Sequence, residues 1–215
     1  MELDPRSLRV YVVTSATPAR DHEAIVTAAL EGGATAIQLR APERNDAALL
    51  PLATRVAARC REAGVPFIVN DRIAVAVAAV ADGAHVGQDD DVPRARRRLG
   101  GDRILGVSVG SPGEAVAAYE AGADYLGVTV WATATKPEAT PRGLEVLRRI
   151  VEATPLPVVG IGGIGAANAL EVVAAGAAGV AVISAVAAAD DPVEAVRTLR
   201  RAVEAYRASE APARG

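Results

Sequence analysis

Pro157-Val158-Val159-Gly160-Ile161-Gly162-Gly163-Ile164 is the stretch whose reading decides the fold. Its β-branched residues predict a strand buried on both faces, which runs straight into paired glycines. After a short break, residues 166–175 read as an Ala-rich helix. Glycine at a strand-to-helix turn lets the backbone approach a ligand closely, because no Cβ intervenes. The unpaired N–H groups that open the following helix suit an anion such as phosphate. Gly179-Val180-Ala181-Val182-Ile183-Ser184 offers a second turn of the same kind. In a barrel of parallel strands, phosphate is commonly held by the loops after strands seven and eight.

Counting outward from that stretch tests the idea. Earlier apolar runs predict strands over 8–13, 36–40, 66–70, 83–87, 104–109 and 125–130, with a last one over 180–183. Helical patterns fill the gaps between them: 22–31, 47–63, 73–81, 93–99, 114–121 and 144–153, and a final helix covers 192–206. Asp21 reads as an N-cap, and Gly33 and Gly64 as helix stops. Strand and helix alternate throughout, which makes the glycine stretch strand seven. An open doubly wound sheet would alternate too, but the first turn, Thr14-Ser15-Ala16-Thr17-Pro18, lacks a glycine-rich dinucleotide fingerprint. Polar residues also gather at the ends of many strands instead of one crevice. The expected fold is therefore an α/β, single-domain (β/α)8 TIM barrel over residues 1–215, with an ordered core over about 8–207 and a flexible tail over 208–215.

Composition narrows the function. The chain is 215 residues long, 51% hydrophobic and 23% charged, with a formal net charge of −3. This balance gives no basic footprint for nucleic acid and no polybasic patch for a membrane. Cys60 is the only cysteine, so a disulfide framework and a Cys-based metal site are excluded. No leader and no long apolar run are evident, and a cytoplasmic protein is expected.

In such barrels the chemistry sits at the C-terminal ends of the strands. Those positions hold Gln38 and Arg40, Asn70 and Asp71, Gln88, Asp89 and Asp90, and then Ser108. Thr133, Thr135 and Lys136 follow strand six, and Gly162, Gly163, Ile183 and Ser184 follow strands seven and eight. Gln38 and Arg40 are two apart and share the inward face of their strand. Asp71 and Asp90 follow adjacent strands, so their carboxylates can meet over Mg²⁺, which favours one or two carboxylates completed by phosphate. Each could instead cap the helix that follows it. His85 reads as a hydrogen-bonded core histidine, and His22 as solvent-exposed. Together these groups suit an anionic, phosphorylated small molecule.

The quoted residues carry a resemblance. Gln38-Leu39-Arg40, Val69-Asn70-Asp71-Arg72, Gly83-Ala84-His85-Val86-Gly87-Gln88-Asp89-Asp90, Gly106-Val107-Ser108 and Thr133-Ala134-Thr135-Lys136 resemble thiamine phosphate synthase, as do the two glycine turns. The resemblance runs in order over about residues 8–205. It implies a Mg²⁺-dependent transferase that joins a hydroxymethylpyrimidine diphosphate to a thiazole phosphate, giving thiamine phosphate and pyrophosphate. It implies Asp71 and Asp90 as metal ligands, and Arg40, Ser108 and Lys136 as the catalytic set. Arg40, Asn70 and Lys136 would grip the pyrimidine diphosphate, with Gln38 and Ser108 on the pyrimidine side. Thr133, Thr135, Gly162, Gly163, Ile183 and Ser184 would cradle the thiazole phosphate. Partners would be phosphorylated small molecules, and a homo-oligomer stays open.

Two departures border the expected pocket. The family motif reads Gln-x-Arg-x-Lys, whereas Ala41 and Pro42 follow Arg40 here, leaving Arg44 as a candidate replacement. Strand six lacks the usual Gly-Pro, reading Gly127-Val128-Thr129-Val130-Trp131. Two alternatives remain: a thiazole tautomerase-like isomerase, disfavoured by the expected lack of a histidine near Ser108, and a catalytically weakened phosphate-ligand-binding relative.

Overall fold

The computed structural model describes residues 3–133 and 139–210. Eight parallel strands close into a barrel in sequence order, with the last pairing to the first. They are β1 (Val10–Val13), β2 (Ala36–Leu39), β3 (Phe67–Asn70), β4 (Gly83–Val86), β5 (Ile104–Ser108), β6 (Tyr125–Thr129), β7 (Val158–Ile161) and β8 (Gly179–Val182). Helices α1 (His22–Gly32), α2 (Asp46–Ala63), α3 (Ile73–Ala78), α4 (Val92–Leu99), α5 (Pro112–Glu120), α6 (Gly143–Ala153) and α7 (Ala169–Ala174) fill the connections in turn. A short α8 (Ser184–Ala187) and a long α9 (Pro192–Glu210) follow β8. The (β/α)8 barrel expected from the alternation is the observed fold.

Both faces of every strand are covered, which is why alternation of polar and apolar residues is nearly absent from the sequence. The strands feed two separate cores. Outward positions such as Val10, Val12, Ile37, Leu39, Val69, Leu105 and Leu126 pack against the helices in one large cluster. Inward positions, including Tyr11, Val13, Ala36, Ile68, Ile104, Tyr125, Val159 and Ala181, fill the barrel itself. The period of two along a strand assigns each residue to one cluster or the other. The interior core is small, and its upper layer is polar: Gln38, Asn70, His85 and Ser108 point inward toward the C-terminal ends of the strands.

Local signals set most boundaries. Asp21 and Asn45 cap α1 and α2 through their side chains, accepting from Ala24 and Ala48 N–H, and both helices end at left-handed glycines, Gly33 and Gly64. Four expectations change. The helix after β7 starts at Ala169 and not at 166, because residues 166–168 form a turn. The third helix stops at Ala78, short of 81, because Val80 turns the chain with φ 54°. The short helix α8, where a bare turn was expected, starts directly after Ile183. The tail predicted to begin at 208 is still helical through Glu210, held in part by Ser209 Oγ donating to the Tyr206 carbonyl at 2.7 Å; 211–215 lie outside the described residues. Among the described residues no helix is long and apolar enough to cross a membrane.

Candidate active site

The parallel arrangement brings the ends of all eight strands to one rim, where two cavities adjoin. The inner one, of about 70 Å³, descends into the barrel between Tyr11, Gln38, Arg40, Asn70, His85 and Ser108, with Thr133, Gly162 and Ile183 across from them. The outer one, of about 700 Å³, is bounded by Asp71, Asp89, Asp90 and Arg142. Ser108, Gly127, Thr129 and Ala139 line both, so the two form one continuous site. A small recess beside the inner cavity is formed by Thr133, Gly162, Gly163, Ile183 and Ser184. Thus Gln38, Arg40, Asn70, Asp71, Asp90, Ser108, Thr133, Gly162, Gly163, Ile183 and Ser184 converge as expected, whereas Thr135 and Lys136 lie outside the described residues.

A chain of hydrogen bonds crosses the barrel beneath the inner cavity. Gln38 Nε2 donates to Tyr11 Oη at 2.7 Å, and Tyr11 Oη lies 2.9 Å from Tyr125 Oη. Tyr125 Oη lies 2.9 Å from His85 Nδ1, and His85 Nε2 lies 3.0 Å from Ser108 Oγ. Five side chains on five different strands are thereby fixed relative to one another. Burial pushes both tyrosine hydroxyls above their ordinary pKa, so they act as neutral donors and acceptors. Gly106 makes the room: a Cβ there would lie 2.2 Å from Tyr125 Cζ and 2.4 Å from His85 Nδ1. His85 is hydrogen-bonded as expected, but the expectation that no histidine stands near Ser108 is corrected, because strand alternation on β4 and neighbouring β5 turns both inward. Tyr125→Phe removes the hydroxyl that both Tyr11 Oη and His85 Nδ1 meet, and should cost about 1–3 kcal/mol. At about 2–4 °C per kcal/mol for a chain of this size, thermal denaturation reads the loss; an unchanged melting temperature would show that water fills the gap.

The carboxylates are held by their own loops. Asp71 has φ 60°, in the left-handed region where Asp is among the few tolerated residues, and its Oδ2 accepts from Asn70 Nδ2 at 2.6 Å. Asp90 Oδ2 accepts from Gly87 N–H at 2.7 Å. Neither caps a helix: Arg72 occupies the cap position of α3 without a side-chain bond, and Asp91 caps α4. Both carboxylates therefore remain on the cavity wall. No group of three or more acidic, His or Cys side chains able to hold a metal occurs among the described residues. Two carboxylates on one wall are oxygen donors of the kind that a divalent cation takes together with phosphate and water.

The loops around Arg40 are tied to the barrel from below. His22, expected at the surface, is 1% exposed, buried between Thr14 at the end of β1 and Glu43 in the loop after β2. Its Nδ1 lies 2.8 Å from Thr14 Oγ1, which also accepts from Arg40 N–H at 3.2 Å, and its Nε2 lies 3.0 Å from Glu43 Oε1. Burial raises the Glu43 pKa, but the bond to His22 and the charges of His22 and Arg44 outweigh it and hold the carboxyl below its usual range. Arg44 lies 3.7 Å from Glu43 and lines neither cavity. Burial pushes the Cys60 thiol up to about 12, consistent with a filler role. Sequence reasoning missed Tyr11, Tyr125 and Arg142, the last because it closes a polar loop with no motif of its own.

Comparison with known proteins shows the family of the chain. Residues 10–186 match the profile of a family described as thiamine monophosphate synthase. The thiamine-phosphate synthase of Chloroflexus aurantiacus is 49% identical over 199 residues, covering 91% of this chain and 92% of that protein. The thiamine-phosphate synthase of Xanthobacter autotrophicus is 47% identical, covering 94% of this chain and 99% of that one. Among solved structures, thiamine phosphate pyrophosphorylase from Pyrococcus furiosus superposes with a TM-score of 0.87 at 40% identity, covering 94% and 98% of the two chains.

Proposed function

Because the chain belongs to the thiamine monophosphate synthase family, we propose that it joins a hydroxymethylpyrimidine diphosphate to a thiazole phosphate, forming thiamine phosphate and releasing pyrophosphate. It is a transferase: the bond from the pyrimidine methylene carbon to the diphosphate oxygen breaks, and a bond from that carbon to the thiazole nitrogen forms. The observation that carries this reading is the continuity of the inner and outer cavities across Ser108, Gly127 and Thr129. One ligand can then place its ring in the barrel mouth and its charged end against Asp71 and Asp90.

In this reading the polar layer of the inner cavity receives the pyrimidine. Gln38 and Ser108 orient the ring, while Arg40 and Asn70 stand where the diphosphate joins it. Lys136 and Thr135 complete the set from the loop after β6. The recess of Thr133, Gly162, Gly163, Ile183 and Ser184 takes the thiazole phosphate through backbone N–H groups and hydroxyls. Asp71 and Asp90 would hold Mg²⁺, which when bound neutralises charge on the departing pyrophosphate. The closed barrel wall excludes water from the reacting carbon, and holding both substrates in one site removes most of the entropic cost of meeting. A cytoplasmic location follows from such substrates. The near-full-length identity to synthases disfavours the isomerase reading.

Pyrophosphate release tests the proposal. Release should require the pyrimidine diphosphate, the thiazole phosphate and Mg²⁺ together, and should stop on chelation. Tight binding of both substrates without release would instead support a binding-only protein.

A further inference from the structure

Arg142 is the one cation among the described residues on the wall of the carboxylate-lined cavity. Its position is built from three sides. Its backbone N–H donates to the Thr129 carbonyl at 2.9 Å, and the adjoining Gly143 N–H donates to the Val130 carbonyl at 2.9 Å, so the end of the loop is clamped to the end of β6. Its guanidinium lies over Gly110, where a built Cβ would come within 2.5 Å of Nε and Nη2 and 2.6 Å of Cζ. Gly110 is itself held, its N–H donating to Glu114 Oε2 at 2.8 Å. The missing side chain at Gly110 thus leaves a shelf that the arginine fills, and Arg142 is half-buried and lines the cavity.

Charge makes this placement informative. Three aspartates share the cavity, and an anionic ligand entering it meets a negative wall. A planar guanidinium offers a fork that matches two phosphate oxygens and stays charged at any physiological pH. We infer that Arg142, seated on Gly110, is a diphosphate-binding residue of this chain, gripping the pyrophosphate end of the pyrimidine substrate from the side opposite the recess for the second phosphate. The inference rests on the function proposed above. The group it grips is charged both before and during departure, so the interaction is felt in binding more than in the chemical step.

The test uses the full chain with magnesium pyrophosphate as probe. Arg142→Met should weaken its binding in calorimetry by about 10- to 100-fold, the range of a lost charge-assisted contact. KM for the pyrimidine diphosphate should rise in parallel, with kcat changed less than about threefold and KM for the thiazole phosphate unchanged. Arg142→Lys should fall between, keeping the charge and losing the fork. Gly110→Ala should reproduce the defect with the arginine still present, because the new methyl pushes aside only the far end of a flexible side chain. Wild-type affinity in both Arg142→Met and Gly110→Ala would overturn the inference, as would a wild-type chain that binds no magnesium pyrophosphate. A wild-type chain that binds the probe but turns over no substrate leaves Arg142 in place and removes the synthase reading alone.

Discussion

Asp90→Asn is expected to lower kcat/KM for pyrophosphate release by about two to three orders of magnitude, while the melting temperature moves by no more than about 3 °C. The substitution keeps an oxygen that can accept the Gly87 N–H, now 2.7 Å from Oδ2, so the turn after β4 survives. What disappears is half the negative charge that Asp71 and Asp90 would offer a divalent ion in the function proposed above. A bound metal contributes several kcal/mol of charge stabilisation to a departing phosphate, and about 1.4 kcal/mol is a factor of ten in rate. Raising the Mg²⁺ concentration should recover part of the loss, and steady-state rates over a metal titration measure it. A fall in melting temperature of more than about 10 °C, or a variant turning over at the wild-type rate, would mark Asp90 as a loop residue with no part in catalysis.

Gly162→Ala should damage both stability and rate. Gly162 has φ 91°, and a Cβ there would lie 2.6 Å from the Trp131 carbonyl oxygen and 3.1 Å from Thr129 Cγ2. The nearest obstacle is backbone, so no side chain can swing away. Holding a non-glycine residue in such a region costs about 1–3 kcal/mol before the overlap is counted. A total near 3 kcal/mol corresponds to a melting temperature lower by about 6–12 °C. Relief comes by shifting the loop that carries Trp131 and Thr133, and displacements of about 1 Å at a reacting centre cost about 100-fold in rate. Denaturation curves and turnover on the same preparation would decide it; an alanine variant with normal values of both would show that this loop has room to move.

The barrel was legible because its signals are redundant. Each strand is apolar on both faces, and stop residues such as Gly33 and Gly64 are left-handed helix ends, so strand count and order follow from pattern alone. The rim residues were legible for the same reason: once strand ends are placed, Arg40, Asn70, Asp71, Asp90 and Ser108 fall on one circle. Side-chain partnerships were not legible, since they depend on which inward positions meet across the barrel. Tyr11 and Tyr125 lie inside apolar strand patterns that say nothing of their hydroxyls, which face each other across the interior. His22 sits at the first position of a helix, where exposure is usual, and it is buried between Thr14 at the end of β1 and Glu43 in the loop after β2. Arg142 is separated from the motif residues by a polar loop, and its role depends on a glycine 32 positions earlier in the numbering.

The hydrogen-bonded chain across the barrel has a polarity. The Gln38 amide can only give a hydrogen to Tyr11, so Tyr11, 1% exposed, must pass its own to Tyr125, and Tyr125 passes its own to His85 Nδ1. With Nδ1 accepting, neutral His85 carries its proton on Nε2 and offers it to the Ser108 oxygen. An amide on β2 is thus linked through four hydrogen bonds to the Ser108 oxygen, so the sense in which that oxygen is bonded is set on the far side of the barrel.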